Sequence, residues 1–99
     1  MDPLQIMLVD DEAPFVEAMT RRLNKRGLSV FSAPSGQEAL DKLDLPDYQK
    51  VSVVILDVKM PGMNGLETLV EIRRRHPLLE VIMLTGHATV DSAIEGMKL

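Results

Sequence analysis

Short apolar runs alternate with amphipathic segments along this chain, and that alternation is the strongest constraint on its fold. The runs Gln5–Val9 and 51–56 are apolar on both faces, which is typical of strands buried inside a parallel sheet. Two more strands are predicted at 28–33, where serines favour a sheet edge, and at 81–84. Strand and helix alternate throughout, so we expect an α/β fold with a doubly wound parallel sheet.

The segments between the runs carry helix signals. A third helix is predicted from about 66 to 76, with Pro77 as its stop and His76 as a cation near its negative end. The remaining signals are the stripe Phe15, Met19 and Leu23 with Gly27 at its end, the capping box Ser35 and Glu38, and a last helical pattern with Val90, Ala93, Ile94 and Met97.

Composition excludes several classes of function. The 99 residues carry 15 acids against 11 Lys and Arg, a net charge of −4, which disfavours nucleic-acid and anionic-membrane surfaces. The absence of cysteine excludes disulfides, zinc-thiolate sites and a thiol nucleophile. No apolar run is long enough to cross a bilayer, so we expect a cytoplasmic domain.

Acidic residues follow the predicted strands where the strands end. Asp10 and Asp11 come after the first strand, Asp57 after the third, and the hydroxyl of Thr85 after the fourth. Ligands of a doubly wound sheet bind beyond the carboxyl ends of its strands, so these side chains are expected to meet. Clustered carboxylates repel one another, and a bound hard cation such as Mg²⁺ usually offsets this repulsion.

Each of these aspartates alone is more simply explained by loop solvation or helix capping. Together they favour a site that binds Mg²⁺ and holds a phosphoryl group against Asp57, because a carboxylate is a competent nucleophile towards phosphorus.

Three stretches resemble the receiver domain of two-component response regulators. They are LVDDE at 8–12, VVILDVKMPGMNGLE at 53–67 and VIMLTGHAT at 81–89. The resemblance implies the flavodoxin-like (CheY-like) fold, with strand order 2-1-3-4 over this chain, and residues 1–99 as one receiver domain.

The resemblance also implies roles for particular residues. Asp57 would accept a phosphoryl group from a sensor histidine kinase and, with Asp10, Asp11 and the backbone carbonyl of Lys59, would bind Mg²⁺. Thr85 would be the switch hydroxyl, and Gly86 would leave the phosphate reachable. Met60 and Pro61 lie in the loop beside the site; Met60 and Met63 are interpreted either as a soft docking surface or as residues that fill gaps in the core.

The chain departs from the family pattern at its end. A complete receiver continues into a fifth strand with a lysine, an aromatic switch residue and a fifth helix, and none of these follows Leu99. We therefore expect an incomplete receiver whose exposed fourth strand favours oligomers, including a homodimer.

The leading functional hypothesis is a phosphoacceptor module, not an enzyme. LTGHAT resembles receivers joined to ATPase-type transcriptional activators and DNA-binding outputs, so the output would be transcriptional, with no direct nucleic-acid binding by this domain.

Two alternatives to a phosphoacceptor module remain open. One is a degenerate receiver kept for dimerisation. The other is an Mg²⁺-dependent phosphatase of the haloacid-dehalogenase type, which would need an acid where this chain has Lys59.

Overall fold

A computed structural model of the chain describes residues 3–60 and 62–84. Its strands form one parallel sheet in the order β2-β1-β3-β4, which confirms the predicted order and the edge position of β2. The strands are β1 (Gln5–Val9), β2 (Ser29–Ala33), β3 (Val51–Asp57) and β4 (Glu80–Leu84). The helices are α1 (Ala13–Lys25), α2 (Gly36–Leu43) and α3 (Gly65–Arg75), with a single 3-10 turn at Pro46–Tyr48.

The end of α1 explains why β2 begins one residue later than predicted. Gly27 has φ +84°, and its amide donates to the carbonyl of Asn24 at 3.0 Å. The amide of Leu28 donates to the carbonyl of Leu23 at 3.1 Å, which completes a Schellman motif. Leu28 therefore belongs to the helix end, and the strand starts at Ser29.

Side-chain caps begin the other two helices. Ser35 Oγ accepts a hydrogen bond from the amide of Glu38 at 3.2 Å, as the predicted capping box requires. Asn64 Oδ1 accepts from the amide of Glu67 at 2.9 Å, so α3 begins at Gly65, one residue before the prediction. This second cap lies inside a turn-rich segment, where its role was not predicted.

Apolar clusters lie on both faces of the sheet. One face packs against α1, through a cluster built from Ile6, Leu8, Ile55 and Leu84 with the predicted stripe of Phe15, Met19 and Leu23. The other face carries the larger cluster, which α2 and α3 cover and which includes Met7, Val9, Leu40, Val54, Leu56 and Ile72. The last predicted helical pattern, from Val90 to Met97, lies outside the described residues.

The ends of α2 and α3 are tied by one carboxylate. Asp44 Oδ2 lies 3.2 Å from Nη1 of Arg75, and its Oδ1 lies 2.9 Å from Nε2 of His76. His76 thus lies at the end of α3, as predicted, with an acidic partner from the neighbouring helix. Within the described ranges, no helix is long and apolar enough to span a membrane.

Close packing at the start of α3 leaves no room for a side chain at Gly65. A Cβ there would overlap the carbonyl oxygen of Asp57 and lie 2.6 Å from the Cα of Val58. The amide of Gly65 also donates to the carbonyl of Val58 at 3.1 Å. The first residue of α3 therefore rests on the backbone at the end of β3.

Gly65→Ala is expected to lower the free energy of unfolding by about 1–3 kcal/mol, because the added methyl meets rigid backbone. Helix propensity alone predicts the opposite sign. Leu66→Ala, at a side chain that is 59% exposed, is the control and should change stability by less than about 0.5 kcal/mol. Urea unfolding of both variants measures the difference, and equal stability of the two would contradict the packing argument.

The acid stability of α3 should depend on Glu71. Its hydrogen bond with Arg74 lowers the pKa of the Glu71 carboxyl below its ordinary value of 4.5. A lowered folded pKa stabilises the protein above the unfolded pKa, and this contribution is lost as pH falls through the folded value. Glu71→Gln should therefore lower stability at neutral pH and match the wild type in strong acid.

Thermal unfolding between neutral pH and strong acid measures how Glu71→Gln changes stability. Glu17→Gln, at an exposed glutamate of α1, is the control and should leave the pH profile unchanged. If Glu71→Gln were still less stable than the wild type in strong acid, the lowered pKa of Glu71 would not be the cause of the difference.

Candidate functional site

Three carboxylates meet at the carboxyl edge of the sheet. Asp10 and Asp11 follow β1, and Asp57 is the last residue of β3, the strand beside β1. One carboxylate oxygen from each residue lies within 4.8 Å of those of the other two. Asp10 and Asp57 are buried, at 2% and 4% exposure, whereas Asp11 is exposed. The structure thus brings together the three acids that the strand ends predicted.

Local hydrogen bonds orient Asp10. Its Oδ1 accepts from the amide of Glu12 at 2.9 Å, two residues ahead, so the carboxylate turns back over the start of α1. Its own amide donates to the carbonyl of Ala33 at 3.1 Å, which extends the ladder between β1 and β2. One hydrogen bond therefore holds the carboxylate of Asp10, and the other holds its main chain.

Asp57 is held in a similar way. Its Oδ1 accepts from the amide of Lys59 at 3.1 Å, so the chain turns beneath the carboxylate. Leu84 is its partner in register on β4, and the amide of Val58 donates to the carbonyl of Leu84 at 2.9 Å. Together with the close approach of Gly65, these bonds fix the backbone that carries the carboxylate.

The electrostatics of the cluster favour a bound cation. Like charges at this separation raise one another's energy, and burial of Asp10 and Asp57 weakens the screening by water. The donors are all oxygens, which suit a hard divalent ion. Oxygens on Mg²⁺ at about 2.1 Å lie roughly 3–4 Å apart, which is comparable with the separation of at most 4.8 Å between these three oxygens. The residues fit the ion.

The other predicted site residues fall into two groups. Lys59 is exposed, and its amide donates a hydrogen bond to Asp57. Met60, by contrast, is only 7% exposed and belongs to the larger core cluster. Burial of Met60, with Met63 packed against the same cluster, favours the gap-filling interpretation of this pair. Pro61, Thr85 and Gly86 lie outside the described residues; the description stops at Leu84, beside Asp57.

β2 and the loop after it supply a wall beside Asp10 and Asp11 that was not predicted from the sequence. A cavity of about 270 Å³ opens beside Asp10 and Asp11, and Ser32, Ala33 and Pro34 line its other side. These residues also stand at the carboxyl end of a predicted strand, and that position was the available signal. The close contact of Gly65 with the backbone of β3 was not predicted either, because hydrophobic periodicity does not show where the backbones of two elements approach each other.

Comparison with known proteins agrees with this geometry. The chain matches the family model of the response regulator receiver domain over residues 6–99. It is 40% identical over 93 residues to the DNA-binding transcriptional regulator NtrC of Klebsiella pneumoniae, which covers 92% of this chain. The same stretch is only 19% of NtrC, so the chain spans about a fifth of the length of that relative.

Solved structures show the same fold. A response regulator receiver domain protein of Clostridium thermocellum matches with a TM-score of 0.78 and 36% identity, over 96% of this chain and 75% of that one. The histidine kinase ThkA in complex with the response regulator protein TrrA matches with a TM-score of 0.76 and 36% identity, over 84% of this chain and 69% of that one. By its sequence over residues 6–99 and by its fold, the chain belongs to the response regulator receiver domain family.

Proposed function

We propose that this chain is a phosphoacceptor that takes a phosphoryl group on Asp57, with Mg²⁺, from a sensor histidine kinase. The observation that carries the proposal is the cluster itself, in which Asp57 lies with Asp10 and Asp11 within 4.8 Å at the carboxyl edge of the sheet. Asp57 is the member at the end of β3, one of the two inner strands described, and its carboxylate is oriented by the amide of Lys59.

Transfer requires one bond to form and one to break. A carboxylate oxygen of Asp57 attacks the phosphorus, and the bond from phosphorus to the imidazole nitrogen of the donor breaks. The imidazole leaves with the electron pair of that bond and takes up a proton, while Asp57 becomes an acyl phosphate. The amide of Lys59 holds the carboxylate in one orientation, which lowers the cost of reaching this geometry.

Asp10, Asp11, Asp57 and the backbone carbonyl of Lys59 are the groups proposed to hold Mg²⁺. The bound ion supplies positive charge that offsets both the carboxylates and the phosphoryl oxygens. Asp10 and Asp57 bring their charge into a site with little water, where such compensation matters most.

The residues beyond the described ranges complete the proposal. Thr85 directly follows Leu84, the register partner of Asp57, so its hydroxyl is proposed to meet the phosphoryl group and report it to the rest of the domain. Gly86 is proposed to leave the phosphate accessible. Pro61 follows the buried Met60 and is proposed to shape the loop beside Asp57.

The relatives support the proposed partners. ThkA is a histidine kinase solved in complex with a response regulator, which supports a sensor kinase as donor. NtrC is a DNA-binding transcriptional regulator, which supports a transcriptional output carried outside these 99 residues. An ATPase-type activator or a DNA-binding domain would fill that role. The receiver itself changes state on phosphorylation and is proposed to act as a signalling module, not as an enzyme with an external product.

Acetyl phosphate with Mg²⁺ is expected to add one phosphoryl group to the chain, and Asp57→Asn is expected to abolish the gain. The amide keeps the shape of the side chain but is a poor nucleophile. Intact mass spectrometry measures the addition, with Asp47→Asn in the 3-10 turn as a matched control that keeps wild-type uptake. Equal uptake by Asp57→Asn, or none by folded wild-type protein, would contradict the proposal.

Asp11→Asn is expected to weaken Mg²⁺ binding by about 10–100-fold, because it removes a charged oxygen ligand. Asp11 is exposed, so the fold should tolerate the change. Titration with Mg²⁺ followed by NMR chemical shifts measures the affinity, and Asp41→Asn on the exposed side of α2 is the control. Unchanged Mg²⁺ affinity in Asp11→Asn would remove this residue from the proposed ligand set.

A further inference from the structure

The outer edge of β2 presents only a short stretch of backbone. The amide of Ser29 donates to Leu4 at 2.9 Å, and the carbonyl of Ala33 accepts from Asp10 at 3.1 Å, so both residues direct their backbone groups towards β1. Along a strand these directions alternate from residue to residue. The intervening Val30 and Ser32 therefore direct their amides and carbonyls away from β1, to the outer side of the sheet.

A lysine from α2 occupies one of these outward groups. Nζ of Lys42 donates to the carbonyl of Ser32 at 2.7 Å, across ten residues of sequence. Lys42 lies in the last turn of α2, the helix that packs beside β2 on one face of the sheet. Its side chain therefore reaches from that helix to the strand edge and places a positive charge there.

The β2 edge is complementary to itself. When two copies pair antiparallel about a two-fold axis at Phe31, Val30 of each copy stands opposite Ser32 of the other. Directly opposed residues of a hydrogen-bonded antiparallel pair exchange both of their amide-to-carbonyl bonds. Each pair then needs the carbonyl of Ser32 as an acceptor, and this is the group that Lys42 occupies. Such a pair is isologous, so it closes as a dimer.

We propose that Lys42 keeps the outer edge of β2 closed to strand pairing with a second copy of this chain. Pairing would bring the amide of Val30 from the second copy to the Ser32 carbonyl that the ammonium group already occupies, and would hold two such charges beside one continuous sheet. Lysines at sheet edges commonly prevent association in this way. The bond between Lys42 and Ser32 lies at the outer edge of the sheet, away from Asp57, and this role of Lys42 does not depend on phosphorylation.

Lys42→Met tests the proposal, because methionine keeps an unbranched side chain with good helix propensity but removes the donor and the charge. Lys25→Met is the matched control, since Lys25 is an exposed lysine in the last turn of α1. Lys42→Arg retains a donor and should behave like the wild type. Lys42→Ala serves as a second variant if Lys42→Met fails to fold.

Sedimentation over a range of protein concentrations measures self-association, and hydrogen exchange locates it. Lys42→Met is expected to dimerise at a concentration at least about tenfold lower than the wild type, with new protection of the Val30 and Ser32 amides in the dimer. Lys25→Met and Lys42→Arg should match the wild type. Equal association of Lys42→Met and Lys25→Met, or association without protection of those two amides, would overturn the proposal.

Discussion

Repulsion among three carboxylates at one edge of the sheet is the constraint on which the rest of the site depends. Two of them are buried, so their charges act on one another with little screening, and the protein must hold them together at a cost. A bound cation would offset that cost, and under the proposed function a phosphoryl group would then approach Asp57. The repulsion that destabilises the cluster on its own would therefore favour the binding of the proposed cation.

Backbone contacts from three elements resist this repulsion. The ladder between β1 and β2 continues to Asp10, and the amide of Lys59 holds the carboxylate of Asp57. Gly65 allows the start of α3 to rest on the backbone at the end of β3, where any side chain would collide. These backbone contacts hold Asp10 and Asp57 in place, which would reduce the reorganisation that binding of the proposed cation requires.

Element identity and the acidic cluster were predictable because they follow from pattern, whereas the strand order was predicted from the resemblance to receiver domains. Apolar runs locate the strands, and parallel strands bring Asp10 and Asp57 to the same edge. The contacts of Gly65, the bridge from Asp44 to Arg75 and the bond from Lys42 to Ser32 were not predictable. Periodicity indicates which face of an element is buried, but not which side chains of distant elements meet, so these features required the structure.

The dependence of stability on Mg²⁺ tests the central claim most directly. Without divalent cations, Asp57→Asn should be more stable than the wild type, because it removes one of the repelling charges. Added Mg²⁺ should then stabilise the wild type far more than the variant, as ligand linkage requires. The difference in the free energy of unfolding between the two proteins should therefore become smaller. Urea unfolding with and without Mg²⁺ measures both quantities. A wild type that gains no stability from Mg²⁺, or a variant that gains as much, would contradict the account.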